Sequence, residues 1–107
     1  MFVIRKDDQP EVEPFTGVKR RTLACGKDVL MARFEYKKGA KVPPHKHAYE
    51  QVTTILEGEQ QIIIKSGEKT ETIMVKSGES YIVPAYCEHE QIVLKGSVTI
   101  DAWSISL

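Results

Sequence analysis

The sequence predicts an all-β protein of one domain, built as a β-sandwich or β-barrel. Short runs of β-branched and aromatic residues recur along the chain, with turn clusters about every 8–12 residues. No segment shows the apolar period of an amphipathic helix. At 107 residues the chain is long enough to bury one core and too short for two domains.

The predicted elements begin with an N-terminal arm, residues 1–17, in which Pro10 and Pro14 argue against regular structure. A barrel over residues 18–107 follows. Its first four predicted strands are Val18–Ala24, Val29–Tyr36, His47–Leu56 and Gln60–Lys65. The next four are Thr70–Val75, Ser80–Val83, His89–Leu94 and Val98–Ile105. The intervening turns have sequences such as C-G-K-D, K-K-G-A, E-G-E and K-G-S.

Composition and charge exclude several classes of function. Lys plus Arg and Asp plus Glu both number 15, so the formal charge is zero and no basic surface for nucleic acid is expected. No stretch approaches the ~20 apolar residues of a membrane span. The first residues, M-F-V-I-R-K-D-D, lack the apolar run of a signal peptide. We therefore expect a cytoplasmic protein that binds neither nucleic acid nor membrane.

Two cysteines are too few for a disulfide scaffold, and in the cytoplasm both are expected to remain thiols. Cys87 lies two residues before His89, which brings it near a candidate metal ligand. We interpret Cys87 as a small buried residue rather than as a ligand.

All three histidines of the chain lie in two short segments. His45 and His47 are separated by one residue in the first segment, and His89 lies in the second. In an extended strand, residues 45, 47, 49 and 51 point to the same side, so Gln51 can offer its amide oxygen to the same ion. We predict one divalent transition-metal ion (Ni, Zn, Fe, Mn or Cu) bound by His45, His47, Gln51 and His89.

Glu50 is the alternative fourth ligand, because a carboxylate is a better donor than an amide. A regular strand would turn Glu50 to the face opposite His47 and Gln51, which favours Gln51. Three neutral imidazoles and a neutral amide leave the ion with its full double charge. Such an ion is better suited to Lewis-acid chemistry than to oxidation.

The two segments resemble the two sequence motifs of the cupin superfamily. Gly-x5-His-x-His-x3-(Glu or Gln)-x6-Gly is matched at Gly39, His45, His47, Gln51 and Gly58. Gly-x5-Pro-x-Gly-x2-His-x3-Asn is matched at Gly78, Pro84 and His89, with Tyr86 in place of Gly and Val93 in place of Asn. Tyr tolerates positive φ poorly, so Tyr86 bears on the backbone of that loop. The resemblance covers residues 18–105 and implies a single-domain cupin β-barrel, a double-stranded β-helix or jelly roll.

Within the cupins, H-K-H-A-Y-E-Q-V-T-T-I-L-E-G is similar to the corresponding segment of the KdgF group of pectin-degradation proteins. The upstream G-V-K-R-R-T-L-A and the pair Asp101 and Trp103 are similar to that group as well. Members of the group promote conversion of cyclic 4,5-unsaturated uronates to the linear ketonised form. The resemblance implies an ion that holds substrate oxygens and Asp101 as the catalytic proton carrier.

Asp101 and Trp103 alternate on one face of the last predicted strand, and we expect them in the substrate pocket with Tyr86 and Gln91. An acid on this strand lies either at the surface or inside the barrel, where it would carry a proton. Trp103 either forms a wall of the pocket, stacked on a sugar ring, or packs in the core.

A homodimer is predicted from apolar residues on the strand faces opposite the ligands. Either a second copy or the N-terminal arm would cover this face. Its residues are Val52, Leu56, Ile92 and Leu94.

Three classes of function are compatible with this pattern. The first is a metal-dependent isomerase or lyase acting on a sugar acid. The second is a metal-dependent cupin dioxygenase, which oxygen uptake during turnover would favour. The third is a non-catalytic cupin that binds a metal or small molecule, which a complete lack of turnover would favour.

Overall fold

The computed structural model describes residues 2–105 and contains eight β-strands and no helix within them. All strand pairings are antiparallel. The strands are β1 (Glu11–Phe15), β2 (Val18–Cys25), β3 (Val29–Tyr36), β4 (Lys41–His45), β5 (Gln51–Ser66), β6 (Lys69–Lys76), β7 (Ser80–Val83) and β8 (Glu88–Ser104). The all-β prediction is confirmed. The described part of the chain also lacks any helix long and apolar enough to cross a membrane.

The long strands β5 and β8 form the centre of the fold. The start of β5 pairs with the end of β8, where Gln51 is opposite Trp103, and the end of β5 pairs with the start of β8, where Lys65 is opposite Glu88. Strands β1, β2, β3 and β7 extend the first of these half-sheets, and β4 and β6 extend the second. The two half-sheets build the predicted jelly roll.

The turns predicted at E-G-E and K-G-S are wrong, because β5 and β8 bend there and continue. The register between the two strands shifts between Ile55 and Gln60, and Gly58 has a φ of +100°. The resulting bulge moves the buried positions of β5 from odd numbers, such as Thr53, to even numbers, such as Ile62. A bulge and a turn both favour glycine, so local composition does not separate them.

Two strands were not predicted because each contains proline. Strand β1 includes Pro14 and pairs only with β2, so it is an edge strand that tolerates the missing N–H group. Strand β4 includes Pro43 and Pro44 and pairs only with β8. The prediction of an irregular arm is therefore wrong for residues 11–15, which lengthen the first half-sheet by one strand.

The interior contains two apolar clusters and a set of buried polar side chains. The first cluster consists of Val18, Tyr36, Ala40, Val42 and Val93. The second consists of Ile55, Ile62, Val75, Tyr81 and Val83. The buried polar residues are Gln51, Thr53, Gln60, His89, Gln91, Ser97, Thr99 and Asp101. Burying polar groups costs free energy unless they are paired, so their concentration here indicates a functional interior.

Candidate metal centre

Three histidines converge at one end of the barrel. His45 ends β4, His89 lies near the start of β8, and the two are opposite each other in the paired strands. The distances between ring centroids are 4.1 Å for His45 and His89, 4.9 Å for His47 and His89, and 5.7 Å for His45 and His47. One ligand nitrogen from each ring lies within 4.8 Å of the others. A cluster of this size and composition suits a divalent transition metal.

His47 reaches the cluster from a loop rather than from a strand. Strand β5 begins at Gln51, so residues 46–50 are not part of a strand and the predicted strand His47–Leu56 is wrong at its start. The backbone N–H of Tyr86 donates to the carbonyl oxygen of His47 at 2.7 Å, which joins the two motif segments. Tyr86 adopts a φ of +63°, the left-handed conformation for which the cupin motif has glycine.

Each imidazole has its Nδ1 within hydrogen-bonding distance of a backbone carbonyl. The three contacts are each 2.9 Å long and join His45 to Pro43, His47 to Tyr49 and His89 to Cys87. A ring that donates from Nδ1 keeps the lone pair of Nε2 for a metal. The three histidines are therefore oriented as Nε2 ligands.

The environment of His89 fits a ligand that stays neutral. Its Nε2 atom is buried and has no hydrogen-bond partner among residues 2–105. Burial lowers the pKa of His89 against the opposing hydrogen bond to Cys87, and His45 and His47 lower it further. A neutral imidazole with an unpartnered Nε2 is ready to bind an ion without first losing a proton.

The amide of Gln51 faces the histidine cluster in the orientation that a fourth ligand would need. Its Nε2 donates to Thr53 Oγ1 at 2.9 Å and to Asp101 Oδ2 at 3.0 Å. These two bonds fix the amide so that its Oε1 faces His47 Nε2 at 3.1 Å. With the Nδ1 proton of His47 directed at the Tyr49 carbonyl group, its Nε2 lone pair and Gln51 Oε1 lie side by side, an arrangement that suits two ligands of one ion. Glu50, the alternative ligand, is exposed.

Asp101 lies inside the barrel on β8, with 4% of its surface exposed. Its Oδ1 accepts a hydrogen bond from Thr99 Oγ1 at 2.7 Å, and its Oδ2 accepts from Thr53 Oγ1 and Gln51 Nε2, both at 3.0 Å. Burial raises the pKa of Asp101 to about 6, against the lowering effect of the Thr99 and Thr53 hydrogen bonds. Three donors leave about one lone-pair direction of the carboxylate free to receive a proton.

A cavity of about 150 Å³ lies beside the histidine cluster and Asp101. His45, His47, Gln51 and Asp101 line it together with two predicted pocket residues, Gln91 and Trp103. The ring of Tyr49 stacks on His47 at 4.0 Å between centroids and on Trp103 at 5.8 Å. Trp103 is therefore part of the cavity wall.

Gln91 and Tyr86 differ in how they relate to this cavity. Gln91 is buried and donates to Gln60 Oε1 at 2.9 Å, with the hydroxyl groups of Tyr36 and Tyr81 each 3.4 Å away. Tyr86 was predicted in the pocket, but its side chain is 70% exposed and does not line the cavity. Tyr86 belongs to the site through its backbone, which holds the loop of His47.

The family model of the cupin domain matches residues 32–98, which is more than half of the chain. The chain belongs to the cupin family. It is 32% identical over 100 residues to the pectin degradation protein KdgF of Dickeya dadantii (strain 3937), which covers 92% of this chain and 87% of that protein. The cupin and KdgF resemblances seen in the motifs are thus confirmed.

Solved structures of other cupins show the same fold. An RmlC-like cupin from Shewanella frigidimarina NCIMB 400 matches with a TM-score of 0.85 and 22% identity, covering 97% of this chain and 90% of that one. KdgF from Halomonas sp. matches with a TM-score of 0.83 and 20% identity, covering 95% of this chain and 93% of that one. At these identities the structural likeness supports the fold alone.

Several residues that line the cavity of this cupin, or that contact its site residues, were not predicted as site residues. Thr99 and Arg20 follow from strand alternation, since Thr99 is two residues before Asp101 and Arg20 is two residues after the buried Val18. Strand alternation also placed residue 49 on the side of the ligands, but Tyr49 was not named as a site residue. Cys87 is half-buried and packs against the second apolar cluster, while its carbonyl group positions His89.

Proposed function

We propose that this cupin is a metal-dependent enzyme that opens and ketonises the ring of an unsaturated uronate or a closely related sugar acid. The observation that carries the proposal is the position of Gln51 between His47 and Asp101, with hydrogen-bonding distances of 3.1 Å and 3.0 Å. A candidate ligand and a buried acid are thereby held in one cavity. The similarity to a pectin degradation protein favours a sugar acid as substrate.

His45, His47, His89 and Gln51 are the residues that would hold the ion in this proposal. A divalent ion in such a site supplies Lewis acidity toward substrate oxygens, and four neutral donors leave its charge uncompensated. Gln51 contributes a second function, because its amide fixes the carboxylate of Asp101. The Thr53 hydroxyl accepts a hydrogen bond from Gln51 and donates one to Asp101, which fixes the two side chains relative to each other.

The proposed reaction is an isomerisation and needs no co-reactant. The anomeric hydroxyl loses its proton, the bond between the anomeric carbon and the ring oxygen breaks, and its electron pair stays on that oxygen as an enolate. Carbon 4 then gains a proton, and the former ring oxygen becomes that of a ketone. Asp101 takes the first proton and delivers one to carbon, because it is the acid lining the cavity and retains a free lone pair.

The aromatic wall has a role in binding in this account. Trp103 and Tyr49 present stacked rings beside the histidines, a surface on which the apolar face of a sugar ring packs. Holding the sugar there would bring its anomeric hydroxyl to Asp101, and such positioning contributes to catalysis in its own right.

Replacing Asp101 with Asn tests the proton carrier. Asp101→Asn is expected to keep its metal and to lose turnover by about 10²–10⁴-fold, the usual contribution of a positioned acid or base. Proton NMR would follow the cyclic signals of 4-deoxy-unsaturated galacturonate with metal-loaded protein. Asp28→Asn is the matched control, because Asp28 is an exposed acid and its removal should leave turnover unchanged.

Two results would count against this proposal, and they differ in meaning. If the decay of the cyclic signals is the same with and without metal-loaded wild type, the activity is wrong. If Asp101→Asn turns over like wild type, another group carries the proton. A protein that binds metal and turns over no sugar acid would be a binding cupin.

Location and partners complete the proposal. We place the protein in the cytoplasm, where Cys25 and Cys87, which are free in the structure, would remain thiols. The proposed partners are a small-molecule substrate and a second copy of the chain.

A further inference from the structure

Arg20 places a positive charge in the wall of the cavity. It lies on β2 and lines the cavity together with His45, His47 and Asp101. Its cross-strand neighbours, Val12 on β1 and Phe34 on β3, are apolar. Among residues 2–105, no carboxylate forms an ion pair with its guanidinium and no side chain hydrogen-bonds to it.

Neighbouring cations on the same sheet have acidic partners. Lys19 and Arg21 flank Arg20 on β2 and pair with Glu11 at 3.8 Å and 3.4 Å. Arg33 on β3 pairs with Glu35. Strand alternation separates these residues from Arg20, which shares the inward side of β2 with the buried Val18. The cations on the outer face of the sheet are therefore paired with acids, whereas Arg20 in the cavity wall is not.

No ion pair joins Arg20 to Asp101 among residues 2–105. The carboxylate of Asp101 already has three donors, from Thr99, Thr53 and Gln51. A half-buried guanidinium presents five N–H groups in a planar array that matches a carboxylate. Its charge thus remains free for an anion that enters the cavity.

Tyr49 supplies a second donor close to Arg20. Arg20 and Tyr49 both line the cavity. The Tyr49 ring also stacks on His47, with 4.0 Å between centroids. The end of the cavity formed by Arg20 and Tyr49 therefore adjoins the histidine cluster.

We propose that Arg20, with the Tyr49 hydroxyl as second donor, binds the carboxylate of the substrate and makes this cupin selective for acidic over neutral sugars. The choice of a sugar rests on the proposed function, whereas the choice of an anion rests on the position of Arg20. A paired guanidinium and carboxylate form two parallel hydrogen bonds, which fix the direction of the ligand as well as its affinity.

Calorimetric titration of the metal-loaded protein with D-galacturonate and D-galactose tests this selectivity, because the two sugars differ only in the carboxylate. Wild type is expected to prefer galacturonate. Arg20→Met, which keeps an unbranched apolar stem and removes the guanidinium, should weaken galacturonate binding about 10- to 100-fold and leave galactose binding unchanged. Arg20→Lys should restore part of the preference. Arg21→Met is the matched control on the outer face and should bind both sugars like wild type.

Three results would overturn the proposal: wild type without a preference for galacturonate, Arg20→Met with wild-type affinity for it, or equal weakening of both sugars in Arg20→Met. The last result would indicate a damaged wall rather than a lost anion site. If Arg20→Met does not fold, Arg20→Lys is measured in its place: its preference for galacturonate should be smaller than that of wild type, and a preference equal to that of wild type would overturn the proposal.

The titration and the kinetics of ring opening together separate this proposal from the proposed function. A preference for galacturonate without ring opening would retain the carboxylate site and reject the activity. Ring opening with a KM for the unsaturated uronate that does not depend on Arg20 would retain the activity and reject the carboxylate site.

Discussion

Backbone carbonyl groups determine how the three histidines present their nitrogens. Each Nδ1 contacts a carbonyl two residues away, before the ring in His45 and His89 and after it in His47. Because these contacts are local, the orientation of each ring is encoded in its own short segment. The spacing of the histidines was sufficient to predict that they cluster, and the orientation of each ring follows from its own segment.

The location of individual pocket residues was less predictable. Strand alternation placed Gln91, Asp101 and Trp103 on the inner face, because β8 keeps its alternation through the site. The prediction that the Tyr86 side chain lies in the pocket was wrong, because side chains in a loop do not alternate regularly between two faces. Arg20 was overlooked because one cation among fifteen basic residues is conspicuous only once its neighbours are seen to be paired.

Tyr86 offers a test of backbone conformation at a single residue. The φ of Tyr86 is +63°, a value that would be costly for a β-branched residue at this position. The exposed ring of Tyr86 contributes little packing. The free energy of unfolding of Tyr86→Gly should lie within about 1 kcal/mol of the wild-type value, because relief of strain in the folded state is offset by a more flexible unfolded chain. Tyr86→Val should be less stable than Tyr86→Gly by about 1–2 kcal/mol. Urea denaturation measures both, and equal stability of the two variants would contradict a left-handed backbone here.

The bends of β5 and β8 are the features that allow two strands to serve both half-sheets. Gly58 lies in the bulge of β5, and a β-carbon built there would overlap Ser97 and the carbonyl oxygen of Gly96 on β8. The sequence was read as four shorter strands with turns, because the approach of β8 to Gly58 is a long-range contact. Most β-runs and their approximate positions were predictable, whereas the proline-containing strands β1 and β4 and the continuity of the two long strands were not.

Alanine substitutions at two glycines separate conformational strain from steric overlap. Gly58 and Gly78 both have positive φ, +100° and +84°, but a β-carbon at Gly78 would meet no atom within 4 Å. Gly78→Ala should therefore cost about 1 kcal/mol of stability. Gly58→Ala carries the overlap as well and should cost about 1–3 kcal/mol more. If urea denaturation gives equal losses for the two variants, β5 and β8 do not approach so closely at the bend.

At the scale of the whole molecule, the apolar face predicted for dimerisation divides between the two half-sheets. Val52 and Leu56 lie on the first half of β5, with 44% and 51% of their surface exposed, whereas Ile92 and Leu94 lie on the first half of β8 and are half-buried. Ile82 on β7 is opposite Val52 and is 59% exposed. These three exposed side chains are the surface on which a second copy is now expected.

Leu56→Lys tests the dimer. A charge placed in an apolar interface has to be desolvated without a partner, so the variant should sediment as a monomer where wild type is a dimer. Met74→Lys is the control, because Met74 is an equally exposed apolar residue on β6, in the other half-sheet. Sedimentation of wild type as a monomer at high micromolar concentration would refute the dimer.

The most direct test of the account is the metal content of the purified protein, because the remaining chemistry depends on the site of His45, His47, Gln51 and His89. Elemental analysis should find one divalent ion per chain in wild type and also in Glu50→Ala, which removes the alternative carboxylate. His47→Ala loses a ring that faces both the cluster and Gln51. It should therefore retain only a small fraction of the metal. Stoichiometric metal in His47→Ala, or its loss in Glu50→Ala, would contradict this assignment of the site.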